Sequence, residues 1–462
     1  MTDIVCVSPV DGREIARRKP ASSAEIERAV AAARAAQKEW GALPLAERAR
    51  YCSAAVDAML AMGGEIAPEI SWQMGRPIRY AAGELKGFEE RARRMIAMAE
   101  TALAPFVPEK RDGFRRMIKK EPRGVMLTVA PWNYPYLTAI NSIIPGLLSG
   151  NAVILKHAAQ TLLVGERFAE AFRRAGLPDG VFQTLSLDHD STLKLISSGL
   201  IDQINFTGSV EAGRAIERAA AGTFANVTLE LGGKDPAYVR HDANLAHAIE
   251  NLVDGAMFNS GQCCCGIERI YVHHDVYDRF VAGASDLART YVLDDPLNEA
   301  TTLGPMARAS LAEIVRRQVG EAVERGAKTH VDAAAFSRDR AGSTYVAPQI
   351  LTGVDHDMTV MVEETFGPVV GIMPVRSDEE AVRLMNDSKY GLTAAIWTSD
   401  ADAAEKLGAE IETGTVFMNR CDYLDPDLAW TGVKETGRGV SLSPFAFDHL
   451  TRLKSYHLRT QI

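Results

Sequence analysis

The sequence predicts an α/β fold, because short β-branched runs alternate with helical stretches over most of the chain. The alternation begins at Gly124, where strand-like runs cover residues 125–130, 152–156, 181–187, 203–207 and 227–231. A second alternating segment follows, with a helix over about 242–258, a strand over 269–273, a helix from Val276 and further α/β pattern to about Phe417. Such alternation with short connections is typical of βαβ units and parallel sheets, whose ligands bind at the carboxyl ends of the strands.

The first hundred residues are predicted to be mainly helical. Ser22 and Glu25 have the spacing of a capping box before a run with apolar residues at helical intervals. A second helix is predicted over 45–62, with the Gly63-Gly64 pair as its stop, and a third over about 82–102. A strand-like stretch at the start of the chain precedes these helices.

Two extended segments fall outside both alternating regions. Residues 106–122 are charged and extended in pattern, and residues 451–460 alternate in polarity like an edge strand. Both are expected to pair outside the main sheets, in an interface between subunits.

Charge and composition exclude several classes of protein. The chain has 51 basic and 60 acidic residues, a net charge of −9, which argues against nucleic acid as a partner. No apolar run is long enough for a membrane span, and the N-terminus lacks a signal pattern, so the cytoplasm is the expected compartment. The six cysteines include no C-x-x-C pair and no His-rich partner, so no metal site is expected.

Three short segments contain residues that can carry chemistry. Cys263, Cys264 and Cys265 follow a small polar turn, where an exposed thiolate is a good nucleophile, although an isolated cysteine is more often a small buried apolar residue. Glu230 ends a strand-like run, where burial would raise its pKa and suit it as a base, although such a residue is more often a salt-bridge partner. Asn133 lies in a rigid turn between two prolines, and its amide is a candidate donor to an oxyanion.

Taken together, six ordered motifs resemble those of the aldehyde dehydrogenase superfamily over nearly the whole chain. They are P-W-N-[FY]-P at 131–135, G-N-x-V-I-L-K at 150–156, F-T-G-S-x-x-x-G at 206–213, L-E-L-G-G-K at 229–234, G-Q-x-C at 261–264 and E-E-x-F-G-P at 363–368. The common dinucleotide fingerprint G-x-G-x-x-G is absent. The resemblance implies oxidation of an aldehyde to a carboxylic acid with NAD or NADP, through a thioester on cysteine.

The resemblance also implies roles for individual residues. Cys264 would be the nucleophile, Glu230 the base that activates water, and Asn133 an oxyanion donor together with the Cys264 backbone N–H. The residues expected at the cofactor are Trp132, Lys156, Gly208, Ser209, Gly213, Leu231, Glu364 and Phe366. The residues expected in the aldehyde pocket are Tyr134, Leu137, Asn141, Met257, Phe258, Cys263, Cys265, Tyr423 and Trp430. No obvious pair of arginines marks an acidic aldehyde, so the sequence does not name the substrate.

The resemblance further implies a Rossmann-type cofactor domain, an α/β catalytic domain and a small β oligomerisation element. We expect the cofactor domain at 1–105 and 122–231, the catalytic domain at 232–432, and the oligomerisation element with the C-terminal tail at 106–121 and 433–462. A homodimer or homotetramer is the expected assembly.

Two departures from the family pattern bear on function. Many members have a glutamate three residues after the lysine of the second motif, where it repels a 2′-phosphate; here that residue is Ala159, so NADP is expected to be tolerated. Near the C-terminus, Gly437-Arg438-Gly439 replaces the common G-R-E, which removes a carboxylate sometimes invoked in proton relay and leaves Glu230 as the single base.

Three alternatives remain open at this level. A coenzyme A-acylating dehydrogenase would release the acyl group to a thiol instead of water, although it has no need for Glu230. A catalytically silent binding protein is a second alternative, because fold does not fix function. A redox-sensing role of the three cysteines would be compatible with catalysis.

Overall fold

Two mainly parallel sheets form the centre of the protein in the computed structural model, which describes residues 2–421 and 423–462. The first sheet has the strand order Gly437–Arg438, Asn226–Glu230, Gln203–Thr207, Val125–Val129, Ala152–Lys156 and Phe182–Thr184. The second sheet has the order Lys328–Thr329, Gln349–Thr352, Val369–Val375, Ile267–His273, Asp235–Val239, Thr393–Trp397 and Thr415–Met418. Gly437–Arg438 and Lys328–Thr329 run antiparallel at one edge of each sheet, and the other strands are parallel.

The predicted strands of the first sheet are confirmed. Ala152–Lys156 and Gln203–Thr207 have the predicted bounds. The run predicted over 181–187 is shorter, Phe182–Thr184, because the Ser186 carbonyl bonds the Ala21 amide instead of a neighbouring strand. The strands of the first sheet come before residue 232 and the strands of the second sheet come after it, except that Gly437–Arg438 returns to the first sheet. The limits of the domains themselves remain a prediction.

Helices cover both sheets. Those associated with the first sheet are Ser23–Ala42, Leu45–Leu60, Gly63–Met74, Ile78–Ala102, Pro135–Leu148, Leu162–Arg174, His189–Ser197, Val210–Ala220 and Ala446–His449, with a 3₁₀ turn at Ala159–Thr161. Those associated with the second sheet are Leu245–Met257, Tyr277–Ala288, Ala309–Glu324, Thr359–Val362, Asp378–Asn386 and Ala401–Gly408, with 3₁₀ turns at Phe258–Gly261 and Ala333–Ala335.

The N-terminal helices show how local sequence sets their ends. Both hydrogen bonds of the predicted capping box are present, since Ser22 and Glu25 cap each other's backbone N–H groups. The Gly63-Gly64 pair was predicted as a stop, and the preceding helix does end at Leu60, but both glycines lie inside the next helix, Gly63–Met74. That helix follows directly because its apolar face, including Ile66 and Ile70, is fully buried in the same core.

Small two-stranded sheets complete the fold. Their pairs are Ile4–Val7 with Glu14–Arg18, Tyr390–Gly391 with Val433–Lys434, and Phe114–Pro122 with Thr451–Arg459. The last pair joins the two predicted extended segments, away from both main sheets, as expected. Among the described helices, none combines the length and apolar character that crossing a membrane requires.

Gly437 gives the first testable prediction, because it pairs with Glu230 at the edge of the first sheet. Its φ is +113°, and an added Cβ would lie 2.2 Å from the Leu229 carbonyl oxygen. We expect Gly437→Ala to lower the melting temperature, because the backbone of Leu229 must move. Gly12→Ala is the matched control: its φ is +78° in open space, so it should cost only about 1 kcal/mol of backbone strain. Equal melting temperatures for the two variants would contradict the predicted clash.

Candidate active site

A cavity of about 640 Å³ lies where the ends of both sheets meet. It is lined by the segment after strand Asn226–Glu230 of the first sheet and by the turn after helix Leu245–Met257 beside the second. Most of the predicted site residues line it, namely Trp132, Asn133, Tyr134, Leu137, Asn141, Gly208, Ser209, Glu230, Leu231, Phe258, Cys263, Cys264, Cys265, Glu364, Phe366, Tyr423 and Trp430. Segments far apart in sequence are thus brought to one place.

Three predicted residues do not line the cavity. Met257 is fully buried in the core of the second sheet, so its assignment to the aldehyde pocket is not supported. It ends its helix one residue before the chain turns toward the cavity, which explains the error. Lys156 ends a strand of the first sheet, and Gly213 lies inside a helix where an added Cβ would lie 2.6 Å from Leu231. Both belong to the first sheet and its helices, where the cofactor residues were expected.

The turn before the cysteines has an unusual backbone. Asn259, Ser260 and Gly261 have φ values of 55°, 57° and 69°, so three consecutive residues occupy the left-handed region. That region costs non-glycine residues free energy and is found where surrounding contacts impose it. An added Cβ on Gly261 would lie 2.1 Å from the Gly367 carbonyl oxygen, so glycine is required there.

Arg76 supplies much of the restraint on this turn. Its Nε donates to Asn259 Oδ1 at 3.1 Å, and its Nη2 donates to the Asn133 carbonyl oxygen at 2.6 Å. Its Nη1 forms an ion pair with Glu84, and both side chains are almost completely buried. Asn259 Nδ2 in turn donates to the Asn133 and Gln262 carbonyl oxygens, each at 3.1 Å. The Arg76 guanidinium therefore connects the turn of residues 259–261 to the segment of Asn133.

The three thiols interact with one another. The sulfurs of Cys263 and Cys265 lie 3.4 Å apart, and Cys265 is buried while Cys263 and Cys264 are partly exposed. Hydrogen bonds from the thiols of Cys264 and Cys265 lower the pKa of Cys263, and the contact with Cys263 raises the pKa of Cys264. These contacts favour the thiolate of Cys263, so the expectation that Cys264 is the nucleophile rests on the motif and not on these pKa directions. All three residues line the cavity.

Glu230 lines the same cavity and is held by its neighbours. Ser441 donates a hydrogen bond to its carboxylate, and the Glu230 carbonyl oxygen accepts one from the Gly208 N–H at 3.0 Å. Burial raises the pKa of Glu230 above its usual range, an effect that the hydrogen bond from Ser441 partly offsets. A raised pKa is the property that a general base needs near neutral pH.

Asn133 has its amide fixed in orientation. Its Nδ2 donates to the Gln262 carbonyl oxygen at 3.2 Å, and the residue is buried at the cavity wall. The amide nitrogen has a second hydrogen, which is available to an oxygen atom in the cavity. The geometry suits a donor to an oxyanion.

A second buried ion pair holds the other side of the cavity. Lys234 Nζ donates to Glu268 at 2.5 Å and to Thr365 Oγ1 at 2.9 Å, and Glu268 accepts from the N–H groups of Thr365 and Phe366. Burial, with the nearby charge of Glu268, raises the pKa of Glu364 to about 8.

The aromatic and glycine-rich side of the cavity fits a dinucleotide. The rings of Trp132 and Phe366 meet edge to face at 5.7 Å, and Glu364 Oε1 accepts from the Gly233 N–H at 3.1 Å. Gly208 and Ser209 precede the N-terminus of helix Val210–Ala220, a position that favours phosphate groups. The strands end here at the carboxyl edge of a parallel sheet, where dinucleotides bind.

Sequence reasoning missed several residues of the site. Arg76 lies in a Gly-Arg-Pro break between two helices, and Ser441 lies in a tail that was read as peripheral. Arg91 lines the cavity from helix Ile78–Ala102, at helical spacing from the buried Glu84 and from Gly87. That spacing was an available signal, because positions 84, 87 and 91 lie on one helix face.

Known proteins resemble this chain over its full length. The model of the aldehyde dehydrogenase family matches residues 1–456. An NAD(P)-dependent succinate semialdehyde dehydrogenase of Escherichia coli is 32% identical over 460 residues, covering 98% of this chain and 97% of the relative. A geranial dehydrogenase of Castellaniella defragrans is 35% identical over 439 residues, covering 94% of this chain and 91% of the relative. The crystal structure of an NAD-dependent aldehyde dehydrogenase of Sinorhizobium meliloti superposes with a TM-score of 0.95 at 32% identity, covering 99% of this chain and 92% of that one.

These matches confirm the predicted fold, reaction class and cofactor class. The chain belongs to the aldehyde dehydrogenase family and is an NAD(P)-dependent enzyme that oxidises aldehydes to carboxylic acids.

Proposed function

We propose that Cys264, Asn133 and Glu230 carry the chemistry of this enzyme, with a thioester on Cys264 as the covalent intermediate. The observation that supports the proposal best is that all three line one cavity although they come from three separate segments. The family motif selects Cys264 among the three neighbouring thiols.

The first step is the attack of the Cys264 thiolate on the aldehyde carbon. The sulfur–carbon bond forms as the carbonyl π electrons move to oxygen, and the result is a tetrahedral oxyanion. In this proposal, Asn133 Nδ2 and the Cys264 backbone N–H donate to that oxygen, which stabilises charge that is absent from the free aldehyde. The aldehyde hydrogen is then on a carbon from which hydride can leave.

The cofactor supplies one piece of chemistry when bound, the acceptance of that hydride. We assign its nicotinamide side to Glu364, Phe366 and Trp132, and its phosphates to Gly208 and Ser209. Leu231, Gly213 and Lys156 complete the proposed binding surface, with Lys156 at the adenosine ribose.

Release of the acid then depends on Glu230. Its carboxylate removes a proton from water, and the hydroxide oxygen bonds to the thioester carbon as the carbon–sulfur bond breaks. The thiolate of Cys264 is regenerated and the carboxylic acid leaves. Glu230 occupies the cavity with a raised pKa, which favours hydrolysis over transfer of the acyl group to coenzyme A.

We also propose a homodimer or homotetramer in the cytoplasm. The sheet of Phe114–Pro122 and Thr451–Arg459 stands apart from the two main sheets and exposes Leu453 and Leu458. Thr451–Arg459 pairs with a strand on one side only, and an unpaired strand edge favours pairing with a second copy. Cys6, Cys52 and the three consecutive cysteines are free thiols, which suits a reducing compartment.

Replacement of the cysteines one at a time tests the proposed nucleophile. We expect Cys264→Ala to reduce NAD(P)H formation by about 10⁴-fold or more, because no covalent intermediate can form. Cys263→Ala and Cys265→Ala are matched controls from the same cluster and should retain turnover within about tenfold. Turnover by Cys264→Ala comparable to that of the two controls would refute the assignment.

Glu230→Gln tests the role of the base. Stopped-flow absorbance should show a burst of up to one NAD(P)H per active site, followed by turnover slowed by about 100-fold or more, since the thioester forms but is not hydrolysed. Ser441→Ala, which removes the hydrogen bond to Glu230, should lower the rate much less. Steady-state turnover close to the wild-type rate in Glu230→Gln would contradict the assignment.

Lys156 gives a prediction on the cofactor. Burial lowers its pKa to about 8, and no glutamate occupies position 159 to repel a 2′-phosphate. We expect NADP to be used, with a KM that rises as pH increases through about 8, because Lys156 loses the charge that pairs with the phosphate.

The KM for NAD should change less over the same pH range, since NAD has no 2′-phosphate. In Lys156→Met, the KM for NADP should no longer depend on pH more strongly than the KM for NAD does. A preference for NAD of about a hundredfold or more in kcat/KM, independent of pH, would refute the prediction.

A further inference from the structure

Arg91 reaches the cavity from helix Ile78–Ala102, beside two residues of the predicted aldehyde pocket. Its Nη1 donates to the Leu137 carbonyl oxygen at 3.0 Å and to Asn141 Oδ1 at 3.3 Å. The side chain is partly buried and belongs to the cavity lining. An added Cβ on Gly87, one turn earlier, would lie 2.7 Å from Leu137, so glycine allows this close packing of the helix against the pocket.

The contacts of Arg91 leave most of its donors unused. A guanidinium has five N–H donors, and both hydrogen bonds of Arg91 come from one nitrogen and go to uncharged oxygens. Within residues 2–421 and 423–462, no carboxylate forms an ion pair with it. The next arginines on the helix differ, since Arg93 pairs with Asp57 and Glu89, and Arg94 pairs with Asp427.

Two acidic residues near Arg91 have other partners, and a third, Glu230, acts on Arg91 through its charge without forming an ion pair. Glu84 forms its ion pair with Arg76 and also accepts from the Tyr136 and Leu137 N–H groups. Glu90 accepts a hydrogen bond from Tyr423 at 2.6 Å. Arginine keeps its charge even where burial disfavours it, and a charge removed from water requires a partner. An anion in the cavity would supply that partner.

We propose that Arg91 binds a carboxylate on the substrate, so that the enzyme prefers aldehydes carrying an acidic group at the far end of the chain. A planar guanidinium with two free nitrogens matches the two oxygens of a carboxylate. Asn141 adds to this site: its Oδ1 faces Arg91, which directs its amide NH₂ away as a further donor. This inference rests on the proposed function, and it names the substrate class that the pocket sequence alone left open.

The test compares two substrates that differ in charge, 4-oxobutanoate and its methyl ester. The wild-type enzyme should show the higher kcat/KM with the acid. Arg91→Gln should lower kcat/KM for the acid by about 10- to 100-fold and for the ester by less than about threefold, because only the acid loses a charged partner. Arg94→Gln is the matched control, an exposed arginine on the same helix, and should change neither value by more than about twofold.

Other outcomes would overturn the proposal. An equal loss for both substrates in Arg91→Gln would mean that Arg91 acts on Cys264, Glu230 or the fold. A wild-type preference for the ester would also refute it.

Calorimetry with succinate, a dicarboxylate that the enzyme cannot oxidise, separates the two levels of the inference. Succinate binding to the wild type that is lost in Arg91→Gln supports the carboxylate site, even if neither aldehyde is turned over. The absence of turnover would then count against the proposed catalytic residues and not against Arg91. Equal binding to both proteins, or no binding to the wild type, would refute the site.

Discussion

The buried ion pair of Arg76 and Glu84 is the interaction on which the site depends most. Arg76 bonds to Asn259 and to the Asn133 carbonyl, and Glu84 accepts the first N–H groups of helix Pro135–Leu148. The pair thereby joins the N-terminal helices to the segment of Asn133 and to the turn of residues 259–261 before the three cysteines. A buried charge left without its partner typically costs several kcal/mol, so this network is satisfied as a unit or fails as a unit. It also helps to hold the left-handed backbone of residues 259–261, a conformation that Asn259 and Gly261 adopt readily and Ser260 does not.

The pair of Lys234 and Glu268 stabilises the opposite side of the cavity, which we propose for the cofactor. Lys234 directly follows the two glycines after Glu230 and Leu231, and Glu268 bonds the backbone of Thr365 and Phe366. Two buried ion pairs therefore fix the two sides of one cavity. Burial at this cavity raises the pKa values of both Glu230 and Glu364, and the charge of Glu268 adds to the effect at Glu364.

The sequence predicts those parts of the fold that depend on interactions between residues close together in the chain. The strands Ala152–Lys156 and Gln203–Thr207 and the cap at Ser22 follow from periodicity and local hydrogen bonds, and the sequence predicts them with their bounds. Gly437–Arg438 was not predicted as a strand of the first sheet, because a two-residue edge strand has no periodic signal.

Site residues follow the same division. Cys264, Glu230 and Asn133 lie in motifs that identify them. Met257 was assigned to the pocket, but it faces the core, while the next residue, Phe258, lines the cavity. Arg76 and Arg91 were missed because a charged residue normally indicates a solvated surface. Their placement at the cavity depends largely on hydrogen bonds to residues 46 or more positions away in the sequence. Mass spectrometry of the peptide containing residues 263–265 shows which cysteine carries the covalent intermediate. The peptide is taken from Glu230→Gln enzyme quenched after mixing with aldehyde and NAD. We expect the acyl mass on Cys264; an acyl group on Cys263 or Cys265, or no acyl adduct after NADH has formed, would show that Cys264 is not the nucleophile.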